Sequence, residues 1–203
     1  THQRPTYGPK DGPALSPAVF RPGGTRRKVD ALQSQLLIYD LDGPKCFDSK
    51  KNRFKLDLFG TQRPTQRQID AWLADHQRRD PLRWMLQRTP VAGCYYSSWS
   101  HGWAKAYSYR IVFLLNSPLK PEPWRALWGY VFEQLGGETV GLDPKCSDIC
   151  RLYYAPSLSD TARSIGLRTP WAAAQFPAQA KGTEQLVNLI SQASTPARVR
   201  MSA

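Results

Sequence analysis

Asp40 and Asp42 close the run Gln35-Leu36-Leu37-Ile38-Tyr39-Asp40-Leu41-Asp42-Gly43, an apolar strand-like segment ending in two carboxylates one residue apart. Successive side chains on a strand alternate faces, so both carboxylates point the same way. Two like charges held close repel unless a cation or proton lies between them, and oxygen-only ligands suit magnesium or manganese. The chemistry implied is metal-dependent work on a phosphate. Alone, the pattern is shared by polymerases, nucleases, phosphatases and glycosyltransferases, and Asp42-Gly43 is also good turn chemistry.

Further residues could join them. His101 stands in a Ser-His-Gly turn between two expected strands, where a side chain can reach the end of a sheet. Lys105 follows four residues later. Arg110 lies in Tyr107-Ser108-Tyr109-Arg110-Ile111-Val112-Phe113 on one strand face with Val112 and Leu114, so its guanidinium needs an anion, either a protein carboxylate or a substrate phosphate. In the segment 141–156, Asp143 and Asp148 precede a short strand and Arg151. Either acid could supply a third metal ligand, and either could instead serve a turn or cap.

The elements that must position these groups follow from periodicity and breakers. Strands are expected over 91–99, 107–115 and 151–155, the last stopped by Pro156. Thr65 caps a helix from Gln66 with Ile69, Trp72, Leu73 and His76 on one face, and Pro81 restarts helix over 82–88. Residues 121–136 form an amphipathic helix whose stripe of Trp124, Leu127, Trp128, Val131 and Leu135 is core, ended by Gly136-Gly137. Residues 44–64 read as a basic hairpin or loop, and one more helix is expected over 183–194. Strands interleaved with helices give an α+β (α/β) domain, a mixed β-sheet with packed helices. The organisation expected is a basic Pro/Gly-rich arm over 1–30, a core over 31–160 and an extension over 161–203.

Charge narrows the partner. The 203 residues carry 28 Lys and Arg against 16 Asp and Glu, a net charge of +12, which favours a polyanion, nucleic acid before an acidic membrane. Clusters at Arg26, Arg27, Lys28 and at Lys50, Lys51, Arg53 could follow phosphates. The longest aliphatic or aromatic run, 111–115, is far short of the roughly 20 residues a spanning helix needs. A cytoplasmic location is expected, with Cys46, Cys94, Cys146 and Cys150 as ordinary thiols rather than a zinc site. The chain starts at Thr1, so it reads as a piece of a larger protein.

The order of these motifs carries a resemblance. An Asp-x-Asp on an apolar strand, a Ser-His turn before Tyr-Arg-Ile-Val-Phe-Leu-Leu, and Leu-Asp-Pro-x-Cys-x-Asp-x-x-Arg-Leu-x-Tyr-x-Pro resemble the catalytic domain of the archaeo-eukaryotic primase superfamily, over about residues 36–157. The nearest likeness is to primase-polymerases of plasmids, phages and other mobile elements. The resemblance implies a nucleotidyltransferase making primers on single-stranded DNA. It implies Asp40, Asp42 and either Asp143 or Asp148 as ligands of Mg²⁺ or Mn²⁺, with Asp143 favoured. His101, with Lys105, Arg110 and Arg151, would hold the nucleoside triphosphate, and a helicase or further domain would be a partner. Trp99 and Trp103 flank the His turn and could stack on bases.

Rival readings remain open at this stage. A glycosyltransferase would not need a charge of +12. A nuclease of the replication-initiator kind pairs histidines on one strand, and no His-x-His occurs. A non-catalytic nucleic-acid-binding or initiator module on the same fold is the other alternative.

Overall fold

The computed structural model describes residues 6–8, 12–89, 91–164 and 173–176. In chain order the strands are β1 (Thr6–Gly8), β2 (Ala14–Leu15), β3 (Ala18–Phe20), β4 (Ala31–Asp42), β5 (Phe47–Asp48), β6 (Arg53–Phe54), β7 (Gly93–Ser97), β8 (Ser108–Leu119), β9 (Tyr153–Tyr154), β10 (Ser157–Ser159) and β11 (Ala173–Phe176). The helices are α1 (Leu56–Phe59), α2 (Gln66–Gln77), α3 (Leu82–Gln87), α4 (Pro121–Gln134) and α5 (Asp160–Ser164). Strands and helices alternate around a five-stranded sheet of order β11-β7-β8-β4-β3, an α+β arrangement. Every ladder of that sheet is antiparallel, while β1 and β10 form a separate parallel pair. The helix expected over 183–194 lies outside the described residues.

The two long central strands carry the alternation that puts one face in the core. Leu37, Tyr39 and Leu41 on β4 and Tyr109, Ile111 and Phe113 on β8 are all buried. Against them packs α4, whose Trp124, Leu127, Trp128 and Val131 recur at helical spacing and are buried as a stripe. Tyr39 stacks on Trp128 at 4.9 Å between ring centroids, and Trp128 on Phe132 at 5.0 Å. Such aromatic pairs add roughly 0.5–1.5 kcal/mol each beyond their buried area.

The helix also solves a backbone problem. Between Ser34, where β3 pairing ends, and Leu41, which Leu142 bridges, the outer edge of β4 has no strand beside it among the described residues. Its carbonyls are bonded nonetheless: Trp124 Nε1 donates to Leu36 O at 2.8 Å and Trp128 Nε1 to Ile38 O at 3.1 Å. An unpaired carbonyl in this interior would cost about 1–3 kcal/mol, so the indoles both fill volume and close the edge. The α4 stripe holds β4, and with it both carboxylates, in place.

Helix α2 begins as its sequence predicts, with Thr65 and Gln68 forming a reciprocal capping box. Its Ile69 and Leu73 meet Cys46, Phe47 and Trp103 in a second core beneath the His turn. Residues 14–20, inside the stretch read as an arm, join the folded unit: β2 pairs with β9 and β3 with β4. Their alternation is too short to announce a strand, and pairing is what fixes them. None of the described helices is long and apolar enough to cross a membrane.

Candidate active site

The β4–β8 register assembles the site. Asp40 lies opposite Arg110 and Asp42 opposite Ser108, while Tyr96 of β7 flanks Arg110 on its other side. These side chains share the sheet face away from α4, and Asp40, Asp42, Ser108 and Arg110 line a cleft of about 210 Å³. Ser98, Trp99, Lys105 and Arg151 complete its walls.

Asp143 reaches the same place by backbone addition. Leu142 bridges Leu41, Asp42 N–H donates to Gly141 O at 2.9 Å, and Asp143 N–H donates to Asp40 O at 3.0 Å. The segment 141–143 thus continues the β4 edge beyond the indoles. Gly141 makes this approach possible, with φ of +95° and the site of a Cβ only 2.6 Å from Asp42 O. Asp143 then caps a 3₁₀ turn over Pro144–Ser147, which folds Cys146 back beneath it. Carboxylate oxygens of Asp40 and Asp143 and the Cys146 Sγ lie within 4.8 Å of one another.

Each acid holds a protein cation. Arg110 Nε donates to Asp40 Oδ1 at 2.9 Å, and its Nη1 also donates to the Tyr154 carbonyl. Arg151 Nη2 lies 2.8 Å from Asp143 Oδ2 and 3.6 Å from Asp40 Oδ2. Lys105 Nζ pairs with Asp42 Oδ1, which also accepts the Ser108 hydroxyl at 2.7 Å. Ser98 Oγ in turn lies 2.6 Å from Ser108 Oγ and donates to it.

Burial pushes the Asp40 carboxyl up from its ordinary value; Arg110 pulls it down, Asp42 pushes it up again, and Arg151 pulls it down, with burial prevailing. Burial, with the Asp40 charge, pushes the Cys146 thiol up to about 12.

His101 sits under the cleft rather than on its wall. It is 5% exposed, its ring packs on Tyr109 at 4.7 Å, and its Nδ1 accepts the Ser108 N–H at 3.0 Å. It thereby fixes the residue whose hydroxyl holds Asp42. Asp148 stands apart from the acids, its Oδ1 accepting the Cys150 N–H at 3.0 Å. Arg26 donates to the Cys150 carbonyl at 3.2 Å, Arg27 pairs with Asp30, and Lys28 lines a different cleft beside Arg125. Lys50, Lys51 and Arg53 stand exposed on the β5–β6 hairpin. The base-stacking expectation for Trp103 is corrected: it is fully buried against Phe47, with Nε1 donating to the Trp99 carbonyl. Trp99 alone of the two lines the cleft. The four cysteines are free thiols.

Among the cleft residues that the sequence did not single out are Ser98, Ser108 and Tyr154. Serines beside a His turn carry no periodic signal, and only the strand register shows that Ser108 faces Asp42.

Burial pushes the His101 imidazole down from 6.5 to about 4. Between those values the unfolded chain binds a proton that the folded chain refuses. Stability is therefore full above pH 6.5 and falls as the pH drops towards 4, by about 3 kcal/mol in all. Urea unfolding at pH 7 and pH 5 should show this loss, and His101→Asn, which keeps an acceptor for the Ser108 N–H, should flatten it. Equal slopes in the two proteins would exclude His101 as the source.

No family model and no curated protein sequence matches the chain. Among solved structures, the AEP domain of the cyanophage S-2L primase-polymerase (PrimPol) is similar to it at 13% identity and a TM-score of 0.38. That likeness covers 82% of this chain, which spans 65% of the length of the cyanophage domain.

Proposed function

We propose that this chain is the catalytic core of a DNA primase-polymerase, a nucleotidyltransferase that builds primers on single-stranded DNA using Mg²⁺ or Mn²⁺. The observation that carries the reading is the convergence of acids from two separate motifs: Asp40 and Asp42 line one cleft with Lys105, Arg110 and Arg151, and Asp143 lies beside it against Asp40 and Arg151. Carboxylates for a divalent ion beside cations for phosphates are the parts that nucleotidyl transfer requires.

The donor set fits the ion. Asp40 and Asp42 offer hard oxygen ligands in a polar, open cleft, and Asp143 offers another beside Asp40. When bound, the metal supplies charge neutralisation at the α-phosphate and a lowered pKa for the attacking 3′-hydroxyl. The chain's own residues do the rest. Arg110, clamped between Asp40 and the Tyr154 carbonyl, is a fixed positive charge at the cleft floor. Lys105 and Arg151 stand at its walls to hold the triphosphate, and Trp99 offers an indole for a base. Ser108 and His101 keep Asp42 aimed.

The template would run over the exposed β5–β6 hairpin, which joins the cleft through the Lys45–Lys105 bridge. Binding of single-stranded DNA should weaken with salt. Replacing Lys50, Lys51 and Arg53 together by Ala should lower the slope of log K against log salt by about 2, at roughly 0.7 per lost phosphate contact. A slope that stays unchanged would move the template elsewhere.

One observation favours a second reading, a nucleic-acid-binding module without catalysis: each acid is already paired with a cation, as an inactive relative would show. Extension of a primed single-stranded template separates the two. Product that requires Mg²⁺ or Mn²⁺ supports the enzyme, whereas bound template with no product in either metal supports the module.

A further inference from the structure

The three cations on the acids differ in how they are held. Arg110 is held by Asp40, the Tyr154 carbonyl, and the Tyr96 and Tyr153 rings at 6.0 and 5.7 Å. It is built in. Arg151 is held through its Nη2 by the Asp143 and Asp40 carboxylates. That nitrogen thus touches two of the three side chains whose ligand atoms cluster within 4.8 Å of one another. Lys105 places its ammonium on Asp42, at the end of a flexible stem.

We propose that Arg151 and Lys105 are stand-in cations, which hold the acid cluster together without metal and swing to the triphosphate when a divalent ion enters. The proposal rests on the metal reading above and adds an order to it. One dication replaces two monocations, so the exchange conserves charge. The backbone need not move: Lys105 N–H donates to Ser100 O, Gly102 N–H donates to Lys105 O, and Arg151 N–H donates to Asp148 O. Only the two side chains swing, and both already line the cleft in which a polyphosphate would lie. Because metal frees the phosphate ligands, and phosphate holds those ligands away from the acids, each ligand tightens the other's binding. The arrangement also explains how a site with every acid paired can belong to an active enzyme.

The test is Mn²⁺ binding, read by electron paramagnetic resonance on the chain without nucleotide or DNA. Arg151→Ala and Lys105→Ala remove a competitor, and each should bind Mn²⁺ about tenfold more tightly than the intact chain. Each should bind a nucleoside triphosphate more weakly when Mn²⁺ is saturating. Thermal unfolding gives an independent reading, since Mn²⁺ should raise the midpoint of either variant more than that of the intact chain. Should Arg151→Ala not fold, Arg151→Gln and Lys105→Ala carry the same comparison. Equal or weaker Mn²⁺ binding by the variants, with clear binding by the intact chain, overturns the exchange and leaves the metal site standing. No Mn²⁺ binding by any of the proteins overturns the metal reading itself.

Discussion

Asp42→Asn will leave the protein folded and its grip on single-stranded DNA intact, yet reduce nucleotide incorporation by roughly a thousandfold or more, the scale lost when metal-borne transition-state stabilisation goes. The substitution is chosen for what it keeps. Asparagine retains an oxygen for the Ser108 hydroxyl, so the Ser98–Ser108–Asp42 chain of hydrogen bonds survives. What disappears is the charge that pairs with Lys105 and would hold the metal. The Asp42 side chain is 36% exposed, so losing its ion pair should cost only about 1 kcal/mol of stability. Urea melts and template binding run beside the incorporation assay separate chemistry from folding. A variant that incorporates as fast as the intact chain would remove Asp42 from the site.

Arg110→Ala should instead act on the fold, lowering stability by about 3–5 kcal/mol, the range for removing one partner of a buried ion pair. Arg110 and Asp40 are 13% and 15% exposed, so neither can turn to water when the other is lost. Without the guanidinium, Asp40 keeps its burial penalty and the repulsion of Asp42 with only the longer Arg151 contact to offset them, and the Tyr154 carbonyl loses a donor. Set against the 5–15 kcal/mol of a typical domain, this is a large fraction. Two controls make the cause visible. The loss should shrink as the pH falls, because Asp40, with its raised pKa, takes up a proton in the folded state and sheds a charge that Arg151 alone compensates poorly. Adding Asp40→Ala should restore part of the lost stability, since the under-compensated carboxylate is gone. An exposed, weakly coupled pair would show neither effect.

Much of this site was legible because it rests on local periodicity. Asp40 and Asp42 share a face since any strand alternates, and the α4 stripe reads directly as Trp124, Leu127, Trp128 and Val131. The Thr65 cap and its Gln68 partner are equally local. What sequence left open depends on register and approach. That Asp143 lies beside Asp40 while Asp148 stands apart shows only once Gly141-Leu142-Asp143 is seen laid along the β4 edge, a contact about a hundred residues long-range in the chain. Ser108 gained its role only from lying opposite Asp42. The Cys146 thiol, read as an ordinary buried cysteine, is ordinary in chemistry but lies among the acids because a four-residue 3₁₀ turn folds it there. Residues 14–20 looked like a leader because composition reports exposure poorly where pairing, not apolar area, holds a strand. The +12 charge pointed to a polyanion but not to its path.

The central claim is that the Asp40–Asp42–Asp143 cleft performs metal-dependent nucleotide addition. Single-turnover incorporation of labelled nucleotides on a single-stranded template, with and without primer, tests it most directly when run in Mg²⁺, Mn²⁺, Ca²⁺ and chelator. The prediction is product in Mg²⁺ or Mn²⁺ and none in Ca²⁺ or chelator, with template bound in all four. Product that survives chelation, or no product in any metal from a chain that binds both template and nucleotide, would contradict it.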